Sequence, residues 1–303
     1  MRKALGWVVK ALAVLAAYVL LVAAWYAVVP DVKGLAKAKP GKTAFMLHRE
    51  DQWAREGRKT TLKWKWTPLS SMSPALVKAV LISEDDKFWS HEGFDFDAMR
   101  DALQKDLEEG RLRAGGSTIS QQLAKNLWLS PSKSPMRKIK EAVLAWRLER
   151  ELSKKRILEI YLNVVEWGDG VFGAEAAARA HFGVSASGLS TEQAVRLAVS
   201  LPNPIRFDPA GNSGFVRKRA AIILSRLQRR GYQPPPSSPP SADFRKAEEG
   251  STEKAAPVPS APVPPAPPAA ESERDRREDA VVREALDWVR QNVEQDGGTS
   301  GGE

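Results

Sequence analysis

The chain has 303 residues, a formal net charge of +9 and no cysteine. That excludes disulfide scaffolds and thiolate metal sites, and the three histidines, His48, His91 and His181, lack the spacing of a metal site. The positive charge favours anionic partners, whether nucleic acid, an anionic membrane surface or a phosphate-bearing substrate.

Ala11 to Val29 carry no charge, a length that spans a bilayer as one helix, and Arg2, Lys3 and Lys10 precede them. Trp25 and Tyr26 sit near the outer end, where amphipathic rings favour the interface. Residues 1–10 are read as a cytoplasmic N-terminus and 11–29 as an uncleaved transmembrane helix. The rival is a cleaved signal peptide with Val22-Ala23-Ala24 as its small-residue site. Residues 30–62 read as a polar linker into Lys63-Trp64-Lys65-Trp66. Tryptophans interleaved with lysines suit base stacking, a short strand or a membrane-surface contact. Packing is the simpler reading, and no nucleic-acid partner is expected.

From Pro74 the pattern is helical almost throughout, so residues 63–232 are expected to form one mainly α domain. Pro74 suits a first turn, and the apolar run to Ile82 ends at Glu84. Further helices are expected over Phe96–Glu109 (stopped by Gly110), Ser117–Leu129, Met136–Leu152 and Lys154–Asn163. Gly170–Gly183 is rich in small residues, as close helix packing requires. Ser190 with Gln193 forms a capping box for a helix ending before Pro202, and Phe215–Arg230 stops at Gly231. No alternating strand run appears. Residues 233–303 read as a disordered Pro/Ala-rich tail, with a short amphipathic helix at 279–295 bearing Val282, Leu286 and Val289 on one face.

Two motifs carry the chemistry. Ser83-Glu84-Asp85-Asp86 ends the apolar run and continues through Phe88-Trp89 to His91-x-Gly93-x-Asp95. Burial and neighbouring like charge both raise a carboxyl pKa, which makes Glu84 a candidate general base. A surface acidic patch capping a helix is the bland alternative. Gly115-Gly116 then opens a row of Ser117, Thr118, Gln121, Gln122, Lys125 and Asn126. The glycines allow positive φ just before a helix N-terminus, an arrangement suited to anions. Gln121, Lys125 and Trp128 share one helical face. Downstream, residues 133–156 hold nine Lys/Arg against three Glu. Within it Lys133, Arg137 and Lys138 approach Glu141, either as a solvated helical face or as a second carboxylate among cations that face a diphosphate. Together the motifs point to sugar transfer from a phosphate-activated donor.

These residues resemble the family 51 glycosyltransferases, the peptidoglycan polymerases that use lipid II. The resemblance covers about residues 63–230. It rests on Glu84-Asp85-x-x-Phe88-x-x-His91-x-Gly93-x-Asp95, on Gly116 to Gln122 with Lys125-Asn126, and on Arg137-Lys138-x-x-Glu141. It continues through Ile157-Leu158-Glu159-x-Tyr161-Leu162-Asn163 and Gly170 to Ala178, and Glu166-Trp167-Gly168 is similar to the monofunctional subgroup. Ser120 stands where Thr is common, Lys133 where Arg is, and Val184 where a Lys is frequent. The resemblance implies a lysozyme-like fold outside the cytoplasmic (inner) membrane and an inverting transfer in which Glu84 deprotonates the acceptor 4-hydroxyl. It further implies that Glu141 orients the donor and that Lys125, Arg137 and Lys138 offset the diphosphate charge. No resident cofactor is expected beyond Mg²⁺ or another divalent cation bound through that diphosphate.

The expected partners are lipid II, the growing glycan strand and the membrane, with cell-wall synthesis and division proteins as candidates for the tail. Ser130-x-x-Lys133 and Ser251-x-x-Lys254 match a transpeptidase pattern by chance, since no Lys-Thr-Gly accompanies them. The competing functions are a wall-cleaving lytic transglycosylase and a non-catalytic scaffold. A cleaving enzyme has no diphosphate to hold, and a scaffold has no need of Glu84 or Glu141.

Overall fold

The computed structural model describes residues 2–109, 115–132, 134–211 and 213–232. Gly110, Lys133, and the tail with its expected helix at 279–295 lie outside the described residues. The chain begins with α1 (Arg2–Val28), which is long and apolar enough to cross a membrane. The segment read as linker holds a helix of its own, α2 (Ala44–Arg55), N-capped by the Thr43 hydroxyl. Its polar composition hides it. Only Met46, Arg49 and Trp53 face inward, at i, i+3 and i+7.

The remaining helices are α3 (Pro74–Glu84), α4 (Phe96–Glu109), α5 (Ile119–Trp128), α6 (Pro135–Glu151), α7 (Lys154–Val164), α8 (Ala174–Phe182), α9 (Thr191–Ser200) and α10 (Gly214–Arg229). The helical expectation therefore holds from Pro74 to Arg229, apart from a short hairpin at 166–172. The capping box at Ser190 and Gln193 forms as read, and left-handed Gly183 ends α8. Helices α5 and α7 are buried nearly all round and pack on each other, with Leu123, Ile157, Leu158 and Tyr161 inside. Around them, α6 and α2 pack on α5, while α3, α9 and α10 form a mutually packed group.

Three short strands also form: β1 (Lys63–Trp64), β2 (Glu166–Gly168) and β3 (Val171–Phe172). The sheet order is β1-β3-β2, with β1 parallel and β2 antiparallel to β3. Strands of two or three residues are too short to leave an alternation in the sequence. The Lys/Trp segment is part of this packing. Trp64 donates its indole N–H to the Asn163 carbonyl at 2.8 Å, and Lys39 and Arg156 each lie over the Trp66 ring.

The Glu166-Trp167-Gly168 motif ties the hairpin to α2. Arg49 makes a two-pronged pair with Glu166, at 2.8 and 2.9 Å, and Gly170 N donates to the same carboxylate at 3.0 Å. Trp53 donates to Asp169 at 3.0 Å and its ring packs against Gly170. At Gly170, φ is +73° and a Cβ would stand 2.0 Å from the Trp53 ring. Gly170→Ala is therefore expected to destabilise the fold by about 2–3 kcal/mol, through overpacking and backbone strain together. A chemical-denaturation midpoint equal to wild type would contradict this packing.

The apolar helix α1 joins the domain through α6. Arg147 donates to the carbonyls of Tyr26 (3.2 Å) and Pro30 (2.9 Å), which satisfies acceptors at the end of α1. Lys140 Nζ lies over the Tyr26 ring.

Candidate active site

The two sequence motifs meet through Asp85. Its carboxylate accepts from Ile119 N (2.8 Å), the first residue of α5, and from His91 Nε2 (3.0 Å). Gly93 N donates to His91 Nδ1, so the ring carries its proton on Nε2 and donates it to Asp85. Thr118 in turn donates to the Gly93 carbonyl at 2.6 Å. Asp95 caps α4 by accepting from Ala98 N at 2.9 Å. One stretch of sequence thus ends α3 and holds the starts of α4 and α5.

This wiring changes what the glycine-opened helix start is for. Its first N–H is taken by Asp85, and the Gln121 N–H by the Thr118 hydroxyl. The anion the helix start attracts is internal, so a substrate phosphate does not bind at these N–H groups. Of the glycine pair, only Gly116 uses positive φ (+85°), because a Cβ there would press on the α4 backbone at 3.1 Å. Asp85→Ala would strand a buried amide N–H and the His91 ring together. We expect a loss of roughly 3 kcal/mol in urea unfolding, and a loss below about 0.5 kcal/mol would show that Asp85 is not the hub.

Glu84, the last residue of α3, is partly buried. Gln122 Nε2 donates to it at 3.0 Å and Ser83 Oγ at 3.2 Å. Burial pushes its carboxyl above the usual range, while those two bonds and the charges of Arg219 and Lys125 pull it back. Arg219 belongs to α10 and was absent from the sequence reading. Its only local signal is one more basic residue in a basic helix.

Glu84 opens onto a cavity of about 310 Å³, lined also by Asp85, Asp95, Asp101, Gly116 and Ser117. Beyond Ser117 the character reverses. Lys138 Nζ donates to Ser117 Oγ at 2.9 Å and also pairs with Glu141, as does Arg137. Glu141 is buried under these two cations, and among the described residues Arg137 Nε is buried with no hydrogen-bond partner. Burial pushes the Lys125 ammonium below its ordinary range, with Glu141 the largest influence holding it up, while Arg137 and Lys138 add to the depression and Glu84 opposes it. Phe45 of α2 lies 5.5 Å under the Lys125 ammonium.

The structure therefore gathers Glu84, Ser117, Gln122, Lys125, Arg137, Lys138 and Glu141. Thr118 and Gln121 form the capping box of α5, with Gln121 Oε1 accepting from Thr118 N at 3.0 Å, and Asn126 is buried in the same helix. Ser120 donates to the half-buried Glu149, and Val184 packs against the core, so both departures from the family pattern sit in structural roles.

Residues 51–228 match the protein family described as Transglycosylase, more than half of the chain. The chain belongs to the transglycosylase family. A biosynthetic peptidoglycan transglycosylase of Nitrosospira multiformis is 51% identical over 188 residues, 62% of this chain and 82% of the relative. The protein of the same description from Laribacter hongkongensis is 44% identical over 223 residues, 74% of this chain and 97% of its own. A third, from Aromatoleum aromaticum, is 53% identical over 169 residues, covering 56% and 74%. The matched span takes in every element from α3 to α9, and with them Glu84, the α5 row, Glu141 and most of the α10 basic helix. As a transglycosylase the chain is a glycosyltransferase, and its site is to be judged against that reaction.

Proposed function

We propose that this transglycosylase polymerises lipid II into β-1,4-linked glycan strands by inverting transfer, without peptide cross-linking. The reading rests on one observation: an acidic, sugar-sized cavity and a basic row meet at Glu84 and Ser117. A neutral acceptor sugar suits the first, and a diphosphate leaving group suits the second. Glu84 removes the proton from the acceptor hydroxyl, the oxygen attacks the donor anomeric carbon from the face opposite the diphosphate, and polyprenyl diphosphate departs. Lys125, Arg137 and Lys138 offset the developing negative charge. Glu141 keeps these cations in place.

Among the described residues no group of three His, Asp or Glu is placed to hold a metal. Any divalent cation, in this reading, arrives with the substrate diphosphate. In this reading α1 anchors the chain in the inner membrane with the site on its outer side, where a lipid-linked donor is delivered. The basic row favours synthesis over strand cleavage. Incubating the full chain with labelled lipid II in detergent should give long, β-linked, uncross-linked strands. Shortening of preformed strands, or no polymer across several detergents, would overturn the reading.

A further inference from the structure

The carboxylate of Glu84 depends on an amide whose orientation is set from the opposite side. Gln122 Nε2 donates to Glu84, and Gln122 Oε1 accepts from the Tyr161 hydroxyl at 2.9 Å. Tyr161 is fully buried between α5 and α7. Burial, with the nearby charges of Glu84 and Asp85, pushes its phenol well above the usual range, so it remains a donor at any working pH. The buried phenol could also accept from an amide NH₂, but its own O–H would then lose the acceptor it has in Gln122 Oε1, so the amide oxygen faces Tyr161 and the NH₂ faces Glu84. Turned over, Gln122 would present its oxygen to the carboxylate, an arrangement tolerable only while Glu84 keeps its proton.

We propose that Tyr161 is a positioning residue for the transfer reaction: its hydroxyl locks Gln122 in the orientation that holds Glu84 ionised and aimed into the acceptor cavity. This rests on the assignment of Glu84 as base. It gives the Ile157–Asn163 motif a part beyond scaffolding. Its other polar members do hold backbone. Asn163 exchanges two hydrogen bonds with Thr67, at 2.7 and 2.8 Å, and Glu159 accepts from Leu69 N. Tyr161 alone points its polar atom toward the reaction centre.

The other charged groups around Glu84 are Lys125 on α5, Arg219 on α10, and Asp85, Asp86, Lys87, Asp95 and Asp101 about the cavity. Tyr161→Phe and Gln122→Met leave all of these in place. The test is the pH dependence of kcat and kcat/KM for lipid II polymerisation in wild type, Tyr161→Phe, Gln122→Met, the double variant and Glu84→Gln. Tyr161→Phe is expected to lower kcat about tenfold, the loss of one buried hydrogen bond, with KM little changed. Its acid limb should move to higher pH. Gln122→Met should move the limb the same way, and adding Tyr161→Phe to it should move the limb no further. A purely structural tyrosine would lower thermal stability and leave the limb where it was, and that result overturns the proposal. So does an unmoved limb in Gln122→Met, which decides the matter even if Tyr161→Phe fails to fold. Activity surviving in Glu84→Gln would remove the base assignment itself. An inactive Glu84→Gln beside an unmoved limb removes the Tyr161 role alone.

Discussion

Glu84→Gln is expected to lower strand synthesis by about 10³-fold or more, consistent with losing a general base in an enclosed site. The same substitution is expected to stabilise the protein. Burial raises the folded-state pKa of Glu84 above its unfolded value. Its stabilising contribution therefore belongs to the protonated form, present below the unfolded pKa and lost as pH rises through the folded one. At neutral pH the buried charge costs stability, and a neutral glutamine relieves it. Thermal unfolding should show a midpoint roughly 2–4 °C higher at pH 7, the gap closing below about pH 4. An inactive variant with a lowered midpoint would mean that the loss came from damaged structure instead.

Lys125→Ala carries the second large effect. Its ammonium is mostly shielded from water, among Glu141, Arg137, Lys138 and Glu84. A cation in such a setting interacts with developing phosphate charge far more strongly than one in water. The expected loss in kcat/KM is about 10²–10³-fold, most of it in kcat, since the charge grows as the diphosphate departs. Lys42→Ala serves as the control. That lysine pairs with Glu50 at 2.7 Å on an exposed stretch and should change the rate less than about twofold. Activity in Lys125→Ala above half of wild type would remove the lysine from the donor grip.

Much of this site was legible along the chain because its parts lie on contiguous stretches with strong local chemistry. An apolar helix ending in a carboxylate, a glycine-opened polar helix and a basic helix start each leave a pattern. Two helix starts were legible for the same reason, since Pro74 marks one by propensity and Ser190 another by capping. What stayed hidden depends on the tertiary fold. Arg219 approaches Glu84 only because α10 packs on α3, and Tyr161 reaches Gln122 only because α7 packs on α5. Helix α2 was hidden because its inward face includes an arginine whose partner, Glu166, lies far along the chain. The capping of α5 by Asp85 misled in a different way. The sequence shows a helix start ready for an anion but not that the anion is already supplied.

In the proposed mechanism Glu84 is the base and works beside a cation-held diphosphate. The most direct test is the pH dependence of kcat/KM for lipid II in wild type and Glu84→Gln, with the full chain in matched detergent. Wild type should lose activity tenfold per pH unit on the acid side as Glu84 takes up a proton. Whatever rate persists in Glu84→Gln should show no such limb. A variant that keeps the acid limb, or that polymerises at the wild-type rate, would rule Glu84 out as the base.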